Sequence, residues 1–158
     1  MPVVLDTGFL SSLHKIGRLG LVKSCFENED VLIPRAVYAE LLRFAFKRRL
    51  PIALDVASAT YWIKVVATKP IADERLGLGE REAIALAERK KAMLLIDDVA
   101  AKRIAQQRKV GCVGLASFLL TCKKDGLLDK KEMQKLLNDL KEKDFYEFSG
   151  DIKKLLLA

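Results

Sequence analysis

Short apolar runs that each give way to a stretch of helical periodicity constrain this chain more than any other feature. Val3-Val4-Leu5, Val31-Leu32-Ile33 and Met93-Leu94-Leu95-Ile96 are apolar throughout and too short for helices, as strands buried on both faces of a sheet are. Trp62-Ile63-Lys64-Val65-Val66 has the mixed polarity of an edge strand, and Val110-Gly111-Cys112-Val113 reads as a last strand. Helical patterns fill the intervals. One starts at about Leu10, with Leu10, Leu13, Ile16 and Leu21 broadly on one face, and a second opens at Pro34 and runs to about Arg49. Others follow Pro51, then span about Glu80 to Lys90, Val99 to Arg108, and Leu115 to Lys124. Alternation of this kind builds βαβ units, so the expected architecture is a three-layer α/β/α domain with a central parallel sheet. From about residue 129 the chain is charged and helical, and its stripe of Met133, Leu136, Leu137 and Leu140 reads as core. A single domain over 1–158 with a C-terminal helical tail is expected.

Composition removes several alternatives. A chain of 158 residues buries roughly 70% of its unfolded surface, enough for a core that needs no disulfide or structural metal. Cys25, Cys112 and Cys122 are isolated, with no CxxC pair, which predicts reduced thiols in a cytoplasmic protein. No apolar run approaches the roughly 20 residues of a membrane span and no signal peptide opens the chain, so no membrane partner is expected. The single histidine, His14, excludes a two-histidine mechanism; on a helix beside Lys15, it reads as a boundary residue. With 28 basic against 21 acidic side chains the net charge is +7, which favours an anionic partner. Abundant charge with little Asn and Gln points to a heat-loving source.

The acids are informative by placement. Ligands of open parallel sheets bind beyond the carboxyl ends of the strands, and Asp6, Asp97 and Asp98 stand at such ends. Two further acids occupy apolar helical stripes: Glu40 among Ala36, Val37, Leu41 and Phe44, and Glu80 with Ala83, Ile84 and Ala87. A carboxylate inside such a stripe is costly unless it meets a cation or a donor. Each acid also has a plainer role. Asp6 and Asp98 can cap the helices that follow, Glu80 can be a first-turn acid favoured by the helix dipole, and Glu40 can turn to solvent. Converging carboxylates repel unless cations neutralise them. All-oxygen ligation without His or Cys selects hard ions, Mg²⁺ or Mn²⁺, which suit phosphodiester hydrolysis.

Val3-Val4-Leu5-Asp6-Thr7, Ile33-Pro34-Arg35-Ala36-Val37-Tyr38-Ala39-Glu40-Leu41, Gly77-Leu78-Gly79-Glu80-Arg81-Glu82-Ala83-Ile84-Ala85-Leu86-Ala87 and Leu94-Leu95-Ile96-Asp97-Asp98 together resemble a PIN domain. Within that family the likeness is to the archaeal and bacterial subfamily long listed as a domain of unknown function, over about residues 1–150. The resemblance implies a metal-dependent ribonuclease, many relatives being VapC-type toxins. Its partners would then be RNA, a small antitoxin protein and a second copy of the chain. It also implies that Asp6, Glu40, Glu80 and one of Asp97 and Asp98 form the family's acidic quartet, with Thr7 orienting metal-bound water. The chain departs from the usual pattern in having Glu80 for the commoner Asp and Ile96 where Thr or Ser precedes the fourth acid; register with that motif favours Asp98.

Other motifs carry less. Gly77-Leu78-Gly79 begins like GxGxxG, but neither the last glycine nor a preceding strand is present. The basic runs at 47–49, 89–91, 102–103, 108–109 and 123–124 mostly fall at helix C-termini, where cations are favourable in any case. Arg43 and Lys47 follow Glu40 on its own face and are the expected RNA phosphate contacts. Two rival functions remain: a PIN-like module that binds RNA or protein with weak or no cleavage, and a DNA- or structure-specific nuclease.

Overall fold

The apolar runs become strands. In the computed structural model, which describes residues 1–48 and 62–158 apart from the side chains of 44–48, β1 (Val3–Leu5), β2 (Val31–Pro34), β3 (Ile63–Val66), β4 (Met93–Leu95) and β5 (Cys112–Val113) form one sheet. Every pairing is parallel and the order is β3-β2-β1-β4-β5. The chain therefore builds outward from β1 in one direction, then returns to place β4 on its other side. Order reverses between β1 and β4, and that is where open parallel sheets form their ligand crevice.

Eight helices are present among the described residues: α1 (Thr7–Lys15), α2 (Gly20–Cys25), α3 (Arg35–Arg48), α4 (Leu78–Lys90), α5 (Val99–Gln107), α6 (Leu115–Lys124), α7 (Lys130–Asp144) and α8 (Gly150–Leu157). They cover both faces. Because successive strand side chains alternate, Val3, Leu5, Ile33 and Leu95 pack with Leu10, Leu13, Phe118, Met133 and Leu136, whereas Val4, Leu32 and Leu94 pack with Ile84, Leu86, Ala101 and Ile104. The expected three-layer α/β/α architecture is the one found. Phe9 meets Phe118 edge-on at 5.4 Å in the larger core.

Local departures have local causes. The first helix starts at Thr7 rather than Leu10, because Asp6 caps it. Leu10, Leu13, Ile16 and Leu21 are all buried, but Leu21 belongs to α2, after a turn in which Gly17 takes φ +70°. Pro34 closes β2 instead of opening α3. The helical pattern after Pro51 lies outside the described residues until Trp62. Met133, Leu136, Leu137 and Leu140 are core, as their spacing predicts. Asp129 and Glu132 start α7 with a reciprocal capping box, and Asp144 at its end accepts Ser12 Oγ at 2.6 Å and Lys15 Nζ at 2.9 Å, tying the tail to α1. Among the described residues no helix is long and apolar enough to cross a membrane.

Candidate active site

Asp6, Thr7, Glu40, Glu80, Asp97 and Asp98 all line one cavity of about 270 Å³ beyond the carboxyl ends of β1 and β4. Its volume suits ions and one end of a polar substrate rather than a whole drug-sized ligand. Five acids expected from their placement thus come together at the reversal point of the sheet.

Asp6 is the fixed member. It directly follows β1, is 6% exposed, and its Oδ2 accepts the Gly8 N–H at 3.4 Å as the cap of α1. Its Oδ1 is buried and accepts no hydrogen bond. Leaving a buried carboxylate oxygen unsatisfied is expensive, and such atoms concentrate at functional sites. Burial, with the charges of Glu80 and Glu40 added, pushes the Asp6 carboxyl up to about 7 against the pull of the Thr7 and Gly8 N–H groups.

Glu40 comes from the middle of α3 and is held from two sides. Thr7 Oγ1 donates to its Oε2 at 2.5 Å, and the Gly79 N–H donates to its Oε1 at 3.1 Å. The plainer role proposed for Glu40, a turn to solvent, does not apply. Gly79 permits the approach. A β-carbon built there would lie 2.5 and 2.7 Å from the two Glu40 oxygens, so no larger residue leaves the carboxylate in place. The Gly77-Leu78-Gly79 break therefore serves the acids and not a nucleotide, a role the sequence reading missed. Two glycines at the start of a helix, directly before an acid, were the available signal.

Glu80 stands in the first turn of α4, half-buried. Burial raises its pKa, and the nearby charges of Asp98 and Glu40 raise it further. Glu82, two residues on, faces elsewhere: it is buried and accepts the Ala36 N–H at 3.1 Å, satisfying the start of α3.

The adjacent aspartates divide. Asp98 is exposed and caps α5, its Oδ1 accepting the Ala101 N–H at 2.8 Å. Asp97 accepts the Leu115 N–H at 3.0 Å through Oδ1 and the Tyr146 hydroxyl at 2.5 Å through Oδ2, with Lys102 Nζ 3.8 Å from Oδ1. Capping and cavity-lining are thus not alternatives for Asp6 and Asp98; each does both.

The carboxylates stand as separate groups with their own donors, and no three of the described Asp, Glu, His or Cys side chains are set to grip one ion as they stand. The donor set still fits a hard divalent cation. It is all oxygen, it includes the unsatisfied Asp6 Oδ1, and its electrostatic strain is of the kind that positive charge relieves. Arg43 is exposed on α3 and outside the cavity lining; the Lys47 side chain lies outside the described residues. His14 lines a different cavity, on α1.

A sequence model of the PIN-domain family matches residues 2–156, nearly the whole chain. The chain is a PIN domain. Such domains are generally nucleases and commonly use divalent metals. The fold agrees: a PilT N-terminus domain protein from the hyperthermophilic archaeon Sulfolobus solfataricus P2 aligns with 75% of this PIN domain and 90% of its own chain, at TM-score 0.53 and 21% identity. A search of curated proteins returned no match.

Proposed function

We propose that this PIN domain is an endoribonuclease dependent on Mg²⁺ or Mn²⁺, held by Asp6, Glu40, Glu80 and Asp98. The single observation that carries this reading is the buried Asp6 Oδ1, an acceptor with no donor, on a residue that lines one cavity with four more acids, two of which, Glu80 and Glu40, bear on it electrostatically. A bound divalent ion lowers the pKa of an attacking water and balances charge on the phosphate oxygens.

The chain's own groups do the rest. Thr7 fixes Glu40 by donating its hydroxyl proton, leaving a lone pair on Oγ1 to orient water. Asp6 and Glu80, whose carboxyls burial and neighbouring acids hold above the ordinary range, are the groups whose charge a bound divalent ion would stabilise most. The net charge of +7 draws a phosphate backbone toward a pocket that would otherwise repel it, and Arg43 on the exposed side of α3 is placed to contact phosphates. The likeness of its motifs to VapC-type toxins extends the reading to the toxin of a toxin–antitoxin pair, with a small antitoxin protein as its partner.

The test is cleavage of a mixed panel of RNA and DNA oligonucleotides with Mg²⁺, Mn²⁺ or EDTA, by wild type and Asp6→Asn. RNA should be cut with either metal, and neither EDTA nor the variant should support cutting. An Asp6→Asn protein that cuts near the wild-type rate overturns the assignment. Cutting of DNA alone identifies the DNA nuclease, and RNA binding without cutting the binding module.

A further inference from the structure

The Asp97–Asp98 pair presents two carboxylates at one strand end, and only one has oxygens to spare. Asp97 is engaged from three elements at once: the backbone of Leu115 at the start of α6, the Tyr146 hydroxyl from the segment between α7 and α8, and the Lys102 ammonium on α5. The packing is close on its Gly114 side. A β-carbon on Gly114 would lie 2.5 Å from Lys102 Nζ and 3.1 Å from Asp97 Oδ1. Tyr146 is itself held, its ring edge-on to Phe148 at 4.9 Å and its segment anchored where Asp144 takes Ser12 and Lys15. Burial and the Asp97 charge push its phenol up, so the hydroxyl stays protonated and donates.

We propose that Asp97 and Tyr146 form a clamp that sets the direction of the neighbouring Asp98 carboxylate, and that both are positioning residues rather than ion ligands. The role of Asp98 as a ligand rests on the proposed function; the clamp itself does not. To reach an ion, Asp97 would have to give up the Leu115 and Tyr146 hydrogen bonds. Held as it is, it fixes the peptide that carries Asp98 into the extended conformation (φ −64°, ψ 125°) from which Asp98 Oδ1 meets the Ala101 N–H. Partners one step removed from a metal ligand commonly govern affinity in this way.

The clamp and the ligand alternatives predict opposite signs. Tyr146→Phe keeps the ring and removes the donor. If Tyr146 positions Asp98, the variant should exchange the Ala101 amide faster and bind Mn²⁺ about tenfold more weakly, with Tm little changed. Were Asp97 a ligand, freeing its Oδ2 would tighten Mn²⁺ binding. Asp97→Asn keeps an acceptor for Leu115 and can donate to the Tyr146 oxygen, so it should stay within about threefold of wild type in Mn²⁺ affinity, whereas Asp98→Asn should lose about tenfold or more. Unchanged Ala101 exchange in Tyr146→Phe, tighter Mn²⁺ binding by it, or an Asp97→Asn loss equal to that of Asp98→Asn each overturns the clamp. A wild type that binds no Mn²⁺ removes the ion reading instead, and the Ala101 exchange then decides the clamp alone.

Discussion

Gly79 and Glu40 meet so closely that an added methyl group has nowhere to go except against the carboxylate. Alanine is the better helix former by up to about 1 kcal/mol, so propensity alone predicts that Gly79→Ala stabilises the protein. Because the displaced atoms are the far end of a flexible side chain, the fold should accommodate the change. The expected outcome is a Tm near wild type with RNA cleavage reduced at least about tenfold, read from melting and rate on the same sample. Asp6 carries a second residue-scale prediction. Its pKa in the folded chain is about 7, above the ordinary 3.8, so between those values the folded state binds more protons than the unfolded one. The stability this gives is complete below about 3.8 and is lost as pH rises through about 7, by at most about 4 kcal/mol. In EDTA, wild type should therefore lose stability relative to Asp6→Asn between pH 4 and 8, as followed by denaturant unfolding. Asparagine still caps α1, so the comparison isolates the charge. Parallel curves would show that Asp6 does not titrate in that range.

Elements divide between what a sequence displays and what only packing decides. β1, β2 and β4 were legible because strands buried on both faces have no polar positions to blur them, and α6 was legible to the residue. Asp6, Glu40, Glu80 and the aspartate pair were legible too, since each violates a local pattern or ends a strand. Tyr146 was not. It follows α7 by two residues, and nothing in a run such as Phe145-Tyr146-Glu147 points to Asp97, 49 residues earlier. Glu82 was ambiguous for a related reason: an Ala-rich helix has no sharp apolar edge, and only the approach of α3 gives that carboxylate its N–H partner. The outer side of α3 supplies the prediction at this scale. Replacing Arg43 and Lys47 together with alanine should weaken RNA binding and make the plot of log affinity against log salt shallower by up to about two units, near one per lost phosphate contact. Titrations at several salt concentrations check it, and an unchanged slope would mark both as ordinary solvated helix charges.

For the whole molecule, the acid cavity is a standing cost that a bound cation would offset. A divalent ion binding only the folded state should stabilise it by roughly 2.7 kcal/mol at a hundredfold excess over its Kd, which raises Tm by roughly 5–10 °C in a chain of this length. Asp98→Asn should melt higher than wild type in EDTA, since it removes a charge that raises the Glu80 pKa while preserving the α5 cap, and should respond less to Mn²⁺. Melting curves with EDTA and then Mn²⁺ decide this. A wild type unmoved by Mn²⁺, with the variant melting lower in EDTA, would leave Asp98 as a cap only. The strand order carries a consequence of another kind, in time rather than space. β1 is paired on one side by β2 and on the other by β4, some 90 residues later, so the cleft has only one wall until β4 has been made. Until the ribosome has passed β4, Asp6 and Glu40 have no Asp98 to face, and the Asp97 partner on Tyr146 arrives later still. A chain that cuts RNA would in this way stay harmless to the transcript that encodes it until the codons for β4 and Asp98 have been translated.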